Sequence, residues 1–311
     1  MTDKSAQPHL VAVAVAPART GFMALGDHLS AACEDAGLSV TRPARLLGSE
    51  NKWVAVELDV AFSGTDLAAP RHALQATLGS IADTALIPRN YRRKRLLVSD
   101  MDSTIIAQEC LDELADYAGL KAEIAAITAR AMAGELDFEG ALTERVAKLK
   151  GLSLQALELC YRERITLMPG ARNLTATMAA HGAHCLLVSG GFTYFTSRVA
   201  AACGFDSHQG NILLDDGAAL TGTVGQPILG RAAKQHALEV KAKSLGILPE
   251  QTMAMGDGAN DLAMIEVAGL GLAVHAKPVV ASAADAAINI TDLTAALYFQ
   301  GYSDSEIVWR D

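Results

Sequence analysis

Two aspartates, Asp100 and Asp102, stand two positions apart directly after an apolar run. Two later apolar runs also end in polar segments, S-G-G at 189–191 and G-D-G-A-N-D at 256–261, and the second segment contributes two more aspartates. Four carboxylates that share one site repel one another unless a cation neutralises them. Mg²⁺ prefers oxygen ligands, uses few carboxylates and keeps positions for a phosphate oxygen. The pattern therefore predicts a magnesium site that handles a phosphate group.

The predicted strands and helices that must position these residues indicate an α/β fold. Short apolar strands alternate with helical segments beyond residue 95, a pattern typical of a parallel sheet with helices on both faces. The strands are predicted at 96–100, 185–189, 252–255, 270–274 and 287–290. Because ligands of open α/β sheets bind at the carboxyl ends of the strands, the three polar segments should meet at one edge.

About eighty residues separate the first two of these strands, and their pattern is mostly helical. A single crossover helix needs far fewer residues. We therefore expect part of this stretch, at about 107–180, to form a helical cap inserted over the edge of the sheet.

The first part of the chain reads β-α-β-β-α-β, the order of a small ferredoxin-like α+β unit. In its strand at 53–60, apolar residues alternate with residues that include Glu57 and Asp59. This period predicts a half-buried strand with one solvated face. We therefore expect a small α+β domain at 1–88, followed by the α/β domain at 89–311.

Charge and composition exclude several classes of protein. The chain has 311 residues and a formal net charge of −9, which argues against a nucleic-acid-binding protein because phosphate contacts require basic surfaces. The basic run at 89–95 is interpreted as a solvated linker and strand start, with a binding patch as the alternative. The apolar stretch at 10–16 is too short for a membrane span and lacks signal-peptide flanks, so no membrane role is expected.

Cysteine usage fits a reducing compartment. The five cysteines are scattered and form no C-x-x-C pair, so neither a disulfide framework nor a zinc site is indicated. We therefore expect a cytoplasmic protein.

Other phosphate- and ester-handling motifs do not match the sequence. The segment at 256–261 begins like a dinucleotide fingerprint, but its sixth position is aspartate rather than glycine, and its two acids would repel a pyrophosphate. The chain contains no Gly-Lys pair, so it has no Walker loop, and it contains no G-x-S-x-G elbow of a serine hydrolase.

The motifs and their order resemble those of the haloacid dehalogenase superfamily of phosphatases. The four matching motifs are D-M-D-S-T at 100–104, S-G-G at 189–191, Lys234 and G-D-G-A-N-D at 256–261. Three longer stretches resemble the phosphoserine phosphatase family more narrowly: DMDSTIIAQECLDELA at 100–115, FEGALTERVAKLKGL at 138–152 and GDGANDLAM at 256–264. The likeness covers about 220 residues, from Arg92 onward.

The resemblance implies a role for each acid. Asp100 would be the nucleophile that forms an aspartyl-phosphate. Asp102 would be the general acid for the departing alcohol and then the base for water, and its backbone carbonyl would bind Mg²⁺. Asp100 and Asp257 would supply carboxylate ligands, and Asp261 would orient the metal shell through water. The first two acids would thus hold opposite protonation states.

The remaining motif residues would bind the phosphate group. By resemblance, Ser189, Gly190 and Gly191 form its cradle, where glycine allows the backbone to approach the anion. Lys234 would neutralise charge on the phosphoryl oxygens, and Asn260 would contact the substrate.

By the same resemblance, substrate choice rests on the cap. Glu109 would accept the ammonium group of the substrate, and Arg145 would clamp its carboxylate through two hydrogen bonds. Met132 and Phe138 would wall the pocket. The resemblance therefore implies O-phospho-L-serine as the substrate and Mg²⁺ as the cofactor.

Two alternatives remain open at this point. Within enzymes, a phosphotransferase or a phosphatase of another small phosphomonoester is the alternative. The first unit looks like an amino-acid-binding ACT module, so a non-enzymatic sensor is the alternative from a different class. In an enzyme, two-domain relatives imply that this unit mediates homodimerisation or feedback by L-serine.

Overall fold

A computed structural model describes residues 9–49, 52–132, 135–230 and 232–310. Within these ranges the strands form one eleven-stranded sheet and one small hairpin. None of the described helices is long and apolar enough to cross a membrane. The strands are β1 (Leu10–Pro17), β2 (Ser39–Val40), β3 (Arg45–Gly48), β4 (Trp53–Ala61), β5 (Asp83–Pro88), β6 (Leu96–Ser99), β7 (His184–Phe192), β8 (Ser207–Asn211), β9 (Leu213–Asp215), β10 (Leu220–Val224), β11 (Thr252–Gly256), β12 (Gly271–Val274) and β13 (Ala286–Ile288).

The described helices lie on both faces of the sheet and above its edge. They are α1 (Phe22–Asp35), α2 (Ala68–Leu78), α3 (Cys110–Tyr117), α4 (Lys121–Met132), α5 (Phe138–Lys148), α6 (Leu154–Arg164), α7 (Ala171–Ala180), α8 (Thr193–Cys203), α9 (Ala232–Leu245), α10 (Leu262–Val267), α11 (Pro278–Ala283) and α12 (Ala295–Phe299).

The sheet runs β2-β4-β1-β5-β13-β12-β11-β6-β7-β8, with β3 paired to β4. From β13 to β8 every pair of neighbours is parallel. The five predicted strands of this half are confirmed, and β7 continues three residues past its predicted end at 189 to Phe192. Residues that alternate along these strands enter two separate apolar clusters, one on each face. Burial on both faces explains why the strands read as continuous apolar runs.

Four helices, α3 to α6, follow β6 and pack on one another and on the β9–β10 hairpin. Side-chain caps start two of them: Asp137 accepts from the N–H of Gly140 at 2.8 Å, and Ser153 accepts from the N–H of Ala156 at 3.2 Å. The fifth helix of this stretch, α7, packs against β7 and α8 instead. The predicted cap region, 107–180, therefore contains four helices away from the sheet and one helix on it.

The amino-terminal unit joins the sheet of the second half directly. Strand β5 meets β13 in antiparallel pairing at Ala85 and Ala286. Beside this contact the buried Asp83 carboxylate accepts from the N–H groups of Asn289, Ile290 and Thr291 at 2.8, 3.0 and 2.8 Å. The domain boundary at residue 88 stays a prediction, and the sheet is continuous across it.

Two expectations about residues 53–60 and 89–95 are wrong. Strand β4 is not half solvated, because Ala55 and Glu57 on its second face are also buried. That face packs into the same apolar cluster as Tyr298 and Phe299 of α12. The run at 89–95 is not a solvated linker throughout either, since Arg92 is buried.

Both errors have the same cause, a buried ion pair between Glu57 and Arg92. The Arg92 guanidinium lies 2.5 Å from the Glu57 carboxylate and donates to the carbonyl of Phe299 at 2.7 Å. Arg45 contacts the same carboxylate from the exposed side, with its Nε at 2.7 Å. Burial alone would raise the pKa of Glu57, but the two guanidinium groups reverse this effect and lower the pKa below its ordinary value of 4.5. The carboxylate is therefore ionised in the folded protein.

We predict that Glu57→Gln lowers the free energy of unfolding by about 3 kcal/mol, because Arg92 then stays buried without a counterion. The control is Arg45→Ala, which removes only the exposed partner and should cost less than about 1 kcal/mol. Urea denaturation measures both. Equal losses of stability in the two variants would contradict the claim that the buried partner, Arg92, causes the larger loss.

The same pair predicts a dependence on pH. Because the pKa of Glu57 is lower in the folded state, its stabilising contribution is complete above the ordinary value of 4.5 and is lost as the pH falls through the folded-state pKa. The stability difference between the wild type and Glu57→Gln should therefore shrink in acid.

Candidate active site

The candidate site lies at one edge of the sheet, at the carboxyl ends of three parallel strands. Asp100 follows β6, Ser189 lies on β7 and Asp257 follows β11. Strand β6 lies between β7 and β11 in parallel register, so all three carboxyl ends point the same way. The N–H of Asp100 donates to the carbonyl of Met255 at 2.9 Å and fixes the first turn after β6 against β11.

A buried lysine lies between two of the four aspartates. The Nζ of Lys234, on α9, lies 2.7 Å from Oδ2 of Asp100 and 2.6 Å from Oδ1 of Asp261. Burial would lower the pKa of this lysine, but the two carboxylates outweigh burial and raise it. Lys234 is therefore a fixed positive charge, and it holds Asp100 in place together with the N–H of Met101, which donates to Oδ1 of Asp100 at 2.7 Å.

The carboxylates of Asp100, Asp257 and Asp261 could share a cation. One oxygen from each lies within 4.8 Å of the others. Burial and the charge of Asp100 raise the pKa of Asp257 to about 6 and that of Asp261 to about 7, so the acids repel one another as they stand. Oxygen donors in a buried cluster are what Mg²⁺ requires. The residues present therefore fit a hard divalent cation.

Asp102 lies in a different environment from Asp100. Its Oδ1 accepts from the N–H of Cys110 at 2.9 Å, and its Oδ2 accepts from the hydroxyl of Ser189 at 3.1 Å. Burial, with the nearby charges of Glu109 and Asp100, raises the pKa of Asp102 to about 7. A carboxyl with this pKa can carry a proton at neutral pH. Asp100 is instead paired with a lysine.

The S-G-G segment forms a narrow loop beside Asp102. The N–H of Gly191 donates to the hydroxyl oxygen of Ser189 at 2.8 Å. A side chain at Gly191 would come within 3.1 Å of the Asp102 carboxylate, and one at Gly190 would meet the Phe138 ring at 3.3 Å. A side chain at either position would therefore crowd a residue of the site.

A small pocket joins several of the residues that the sequence singled out. Its lining includes Phe138, Ser189, Gly190, Lys234 and Asn260. The structure thus brings the cap residue Phe138 together with the phosphate-binding motifs. Met132 ends α4, and its side chain lies outside the described part of the chain.

Glu109 and Arg145 both belong to the predicted cap region that follows β6. Glu109 precedes α3 and accepts from the hydroxyl of Ser103 at 2.7 Å. Arg145, on α5, is partly buried and donates to the carbonyl of Ala141 at 3.2 Å. Burial lowers the pKa of Arg145, and the charges of Asp112 and Glu109 oppose that effect. The two side chains expected to bind the ammonium and the carboxylate of the substrate therefore interact electrostatically with each other.

Ser103 was not singled out from the sequence. It adopts a left-handed conformation with φ 53°, which is uncommon for a residue other than glycine. Its position inside D-M-D-S-T was visible, but the sequence carries no signal that its hydroxyl reaches Glu109.

Comparison with known proteins places this site in a family. The model of the haloacid dehalogenase-like hydrolases matches residues 97–266. A phosphoserine phosphatase of Streptomyces coelicolor is 38% identical over 286 residues, which cover 91% of this chain and 68% of the relative.

The chain belongs to the phosphoserine phosphatases of the haloacid dehalogenase-like hydrolase family. This membership confirms the predicted fold class and makes the chain a phosphomonoester hydrolase.

Solved structures of this family show the same architecture. The unliganded form of a probable phosphoserine phosphatase from Vibrio cholerae superposes with a TM-score of 0.73 at 30% identity, covering 96% of this chain and 88% of the other. A phosphoserine phosphatase solved as a phospho-aspartyl intermediate analogue gives a TM-score of 0.60 at 39% identity, covering 67% of this chain and 99% of the other. The first comparison includes the amino-terminal unit.

Proposed function

We propose that this chain hydrolyses O-phospho-L-serine to L-serine and phosphate with Mg²⁺, the last step of L-serine biosynthesis. The observation that carries the proposal is the contrast between Asp100 and Asp102. One acid is paired with Lys234, and the other, two residues away, has a pKa raised to about 7. Covalent phosphoryl transfer needs a nucleophile that is anionic and a neighbour that carries a proton.

In the proposed reaction, an oxygen of Asp100 forms a bond to phosphorus as the bond to the serine oxygen breaks. Asp102 gives its proton to the departing serine oxygen. Water then attacks phosphorus, Asp102 takes a proton from that water, and the bond to Asp100 breaks to release phosphate. Lys234 balances charge on Asp100 throughout, since it lies 2.7 Å from that carboxylate.

The proposed metal ligands are the carboxylates of Asp100 and Asp257 and the backbone carbonyl of Asp102, with Asp261 orienting the shell. Bound there, Mg²⁺ would neutralise charge on the phosphoryl oxygens. Support comes from the short separations within the acidic cluster and from the raised pKa values of Asp257 and Asp261.

The remaining groups hold the substrate. We assign phosphate binding to Ser189, Gly190 and Gly191, and contacts at the pocket wall to Phe138 and Asn260, which line the same small pocket.

Glu109 takes the ammonium of the substrate and Arg145 its carboxylate in this proposal. A substrate carboxylate would give Arg145 the paired acceptor that its partly buried guanidinium needs. We also assign Met132 to the pocket wall on the resemblance alone.

A further part of the proposal concerns the whole protein. We propose a cytoplasmic homodimer that L-serine inhibits through the amino-terminal unit. The five cysteines are free and buried, which supports a reducing compartment. The element order of the amino-terminal unit supports the regulatory role.

We predict that Asp100→Asn abolishes phosphate release, because an amide is a poor nucleophile and no longer pairs with Lys234. Phosphate release from phosphorylated amino acids and sugars, with Mg²⁺ or with a chelator, measures the effect. The control Asp215→Asn changes an exposed aspartate on β9 and should leave turnover unchanged. Undiminished turnover by Asp100→Asn, or full activity in chelator, would refute the mechanism. Faster release from another phosphomonoester, or transfer to an added alcohol, would favour the alternative activities.

We predict that Glu109→Gln and Arg145→Met relax selectivity in opposite ways. Each should raise KM for phosphoserine by about 10- to 100-fold or more, since each variant loses at least one charge-assisted hydrogen bond to the substrate. Glu109→Gln should leave KM for 3-phosphoglycerate, which lacks the ammonium, nearly unchanged. Arg145→Met should do the same for phosphoethanolamine, which lacks the carboxylate.

The control for these variants is Glu139→Gln, an exposed glutamate in the first turn of α5. It should leave all three KM values unchanged. Equal losses for all three substrates in the Glu109 and Arg145 variants would show that these residues support the cap rather than recognise the zwitterion.

Regulation by L-serine can be separated from product inhibition. We predict dimers in sedimentation velocity and inhibition by L-serine that persists in Glu109→Gln, because the effector would bind outside the active site. Inhibition that disappears in that variant together with substrate affinity would mean that L-serine acts only as a product. A monomer at all concentrations would remove the dimer from the proposal.

A further inference from the structure

Asn211 ends β8 beside the S-G-G loop, and its side chain is 1% exposed. Its Nδ2 donates to the carbonyl of Gly190 at 2.8 Å and to the carbonyl of Leu229 at 3.4 Å. Its Oδ1 accepts from the N–H of Leu229 at 2.7 Å. Both amide hydrogens and the oxygen are therefore engaged with backbone groups of two separate segments.

The first of these segments is held by Asn211 through a single peptide group. The carbonyl of Gly190 and the N–H of Gly191 belong to the same planar unit. Asn211 binds the carbonyl end, and the hydroxyl oxygen of Ser189 accepts from the N–H end at 2.8 Å. Because both ends are fixed, the orientation of the whole peptide plane is fixed, although glycines alone impose little preference.

The orientation of the Ser189 hydroxyl follows from this peptide. Its oxygen accepts from the N–H of Gly191, so its proton is directed elsewhere and reaches Oδ2 of Asp102 at 3.1 Å. A continuous chain of hydrogen bonds thus runs from Asn211 through the Gly190–Gly191 peptide and Ser189 to Asp102.

The second segment contains Leu229, which precedes Lys234 in the sequence. Asn211 binds both backbone groups of Leu229, five residues before Lys234 in the sequence. The same side chain therefore connects the loop that holds Ser189 with the start of the segment that carries the lysine. The S-G-G loop belongs to β7, whereas Leu229 lies between β10 and α9.

We propose that Asn211 is a positioning residue for phosphate binding. It orients the Gly190–Gly191 peptide, whose N–H binds the Ser189 hydroxyl, and it holds the backbone of Leu229, five residues before Lys234. In this way it positions the S-G-G loop and Lys234 at one phosphate site. The inference rests on the proposed function in one respect: it takes the S-G-G loop and Lys234 as the phosphate site.

The test is Asn211→Asp, which keeps the shape of the side chain but replaces the donor by a carboxylate oxygen. That oxygen would face the carbonyls of Gly190 and Leu229 and repel both. Calorimetric titration of the full chain with inorganic phosphate in the presence of Mg²⁺ should give a Kd raised about tenfold or more.

The matched control is Asn173→Asp. Asn173 is also buried, 4% exposed, and its amide connects α7 with Thr294 and with the N–H of Arg310, outside the proposed phosphate site. This variant should lose thermal stability but keep the wild-type Kd for phosphate within about twofold. An unchanged Kd in Asn211→Asp, or the same rise in both variants, would overturn the proposal.

If Asn211→Asp does not fold, Asn211→Ser replaces it. The serine hydroxyl is one atom shorter and cannot bridge both segments, so the Kd for phosphate should again rise, and a wild-type value would overturn the proposal. Phosphate is the product of any phosphatase reaction. A wild-type chain that binds phosphate without hydrolysing phosphoserine would refute the proposed function alone, whereas a chain that binds no phosphate would overturn this inference as well.

Discussion

The site depends on the balance of charge around Lys234. Three carboxylates, those of Asp100, Asp257 and Asp261, converge within 4.8 Å of one another, and one ammonium contacts two of them. Three negative charges and one positive charge leave a formal charge of −2, which one divalent cation cancels. Burial makes any imbalance costly, because charges are weakly screened there. The cluster therefore favours a divalent cation before it accepts a phosphate, and it leaves Asp102, which Lys234 does not pair with, free to hold a proton.

The sequence was sufficient to predict the parallel sheet and the meeting of its three polar strand ends. Apolar runs that are buried on both faces have one stable arrangement, and their carboxyl ends then share an edge. The sequence could not predict the role of Asn211, because the hydrogen bonds of this side chain go only to backbone groups. Backbone groups leave no pattern in the sequence. The same holds for Ser103, whose hydroxyl meets Glu109 across a local turn.

The errors about residues 53–60 and 89–95 come from a contact between distant parts of the chain. Alternation along β4 made Glu57 look solvated, and the basic run made Arg92 look solvated. Each interpretation taken alone was sound, since an isolated charged side chain is seldom buried. The two charges are 35 residues apart and meet under α12, so each makes the burial of the other possible. Local patterns carry no information about such a partner.

The continuous sheet also limits how the amino-terminal unit can influence catalysis. Asp83 binds three consecutive N–H groups after β13, and Arg71 pairs with Asp285 just before it. Strand β13 is followed in the sheet by β12 and then by β11, which ends at the loop of Asp257. An effector bound to the amino-terminal unit can change the active site through these strands only under one condition. It must bind two arrangements of the contact between β5 and β13 with different affinity. The proposed regulation would therefore require a change at the contact between β5 and β13, rather than a domain that moves on a free linker.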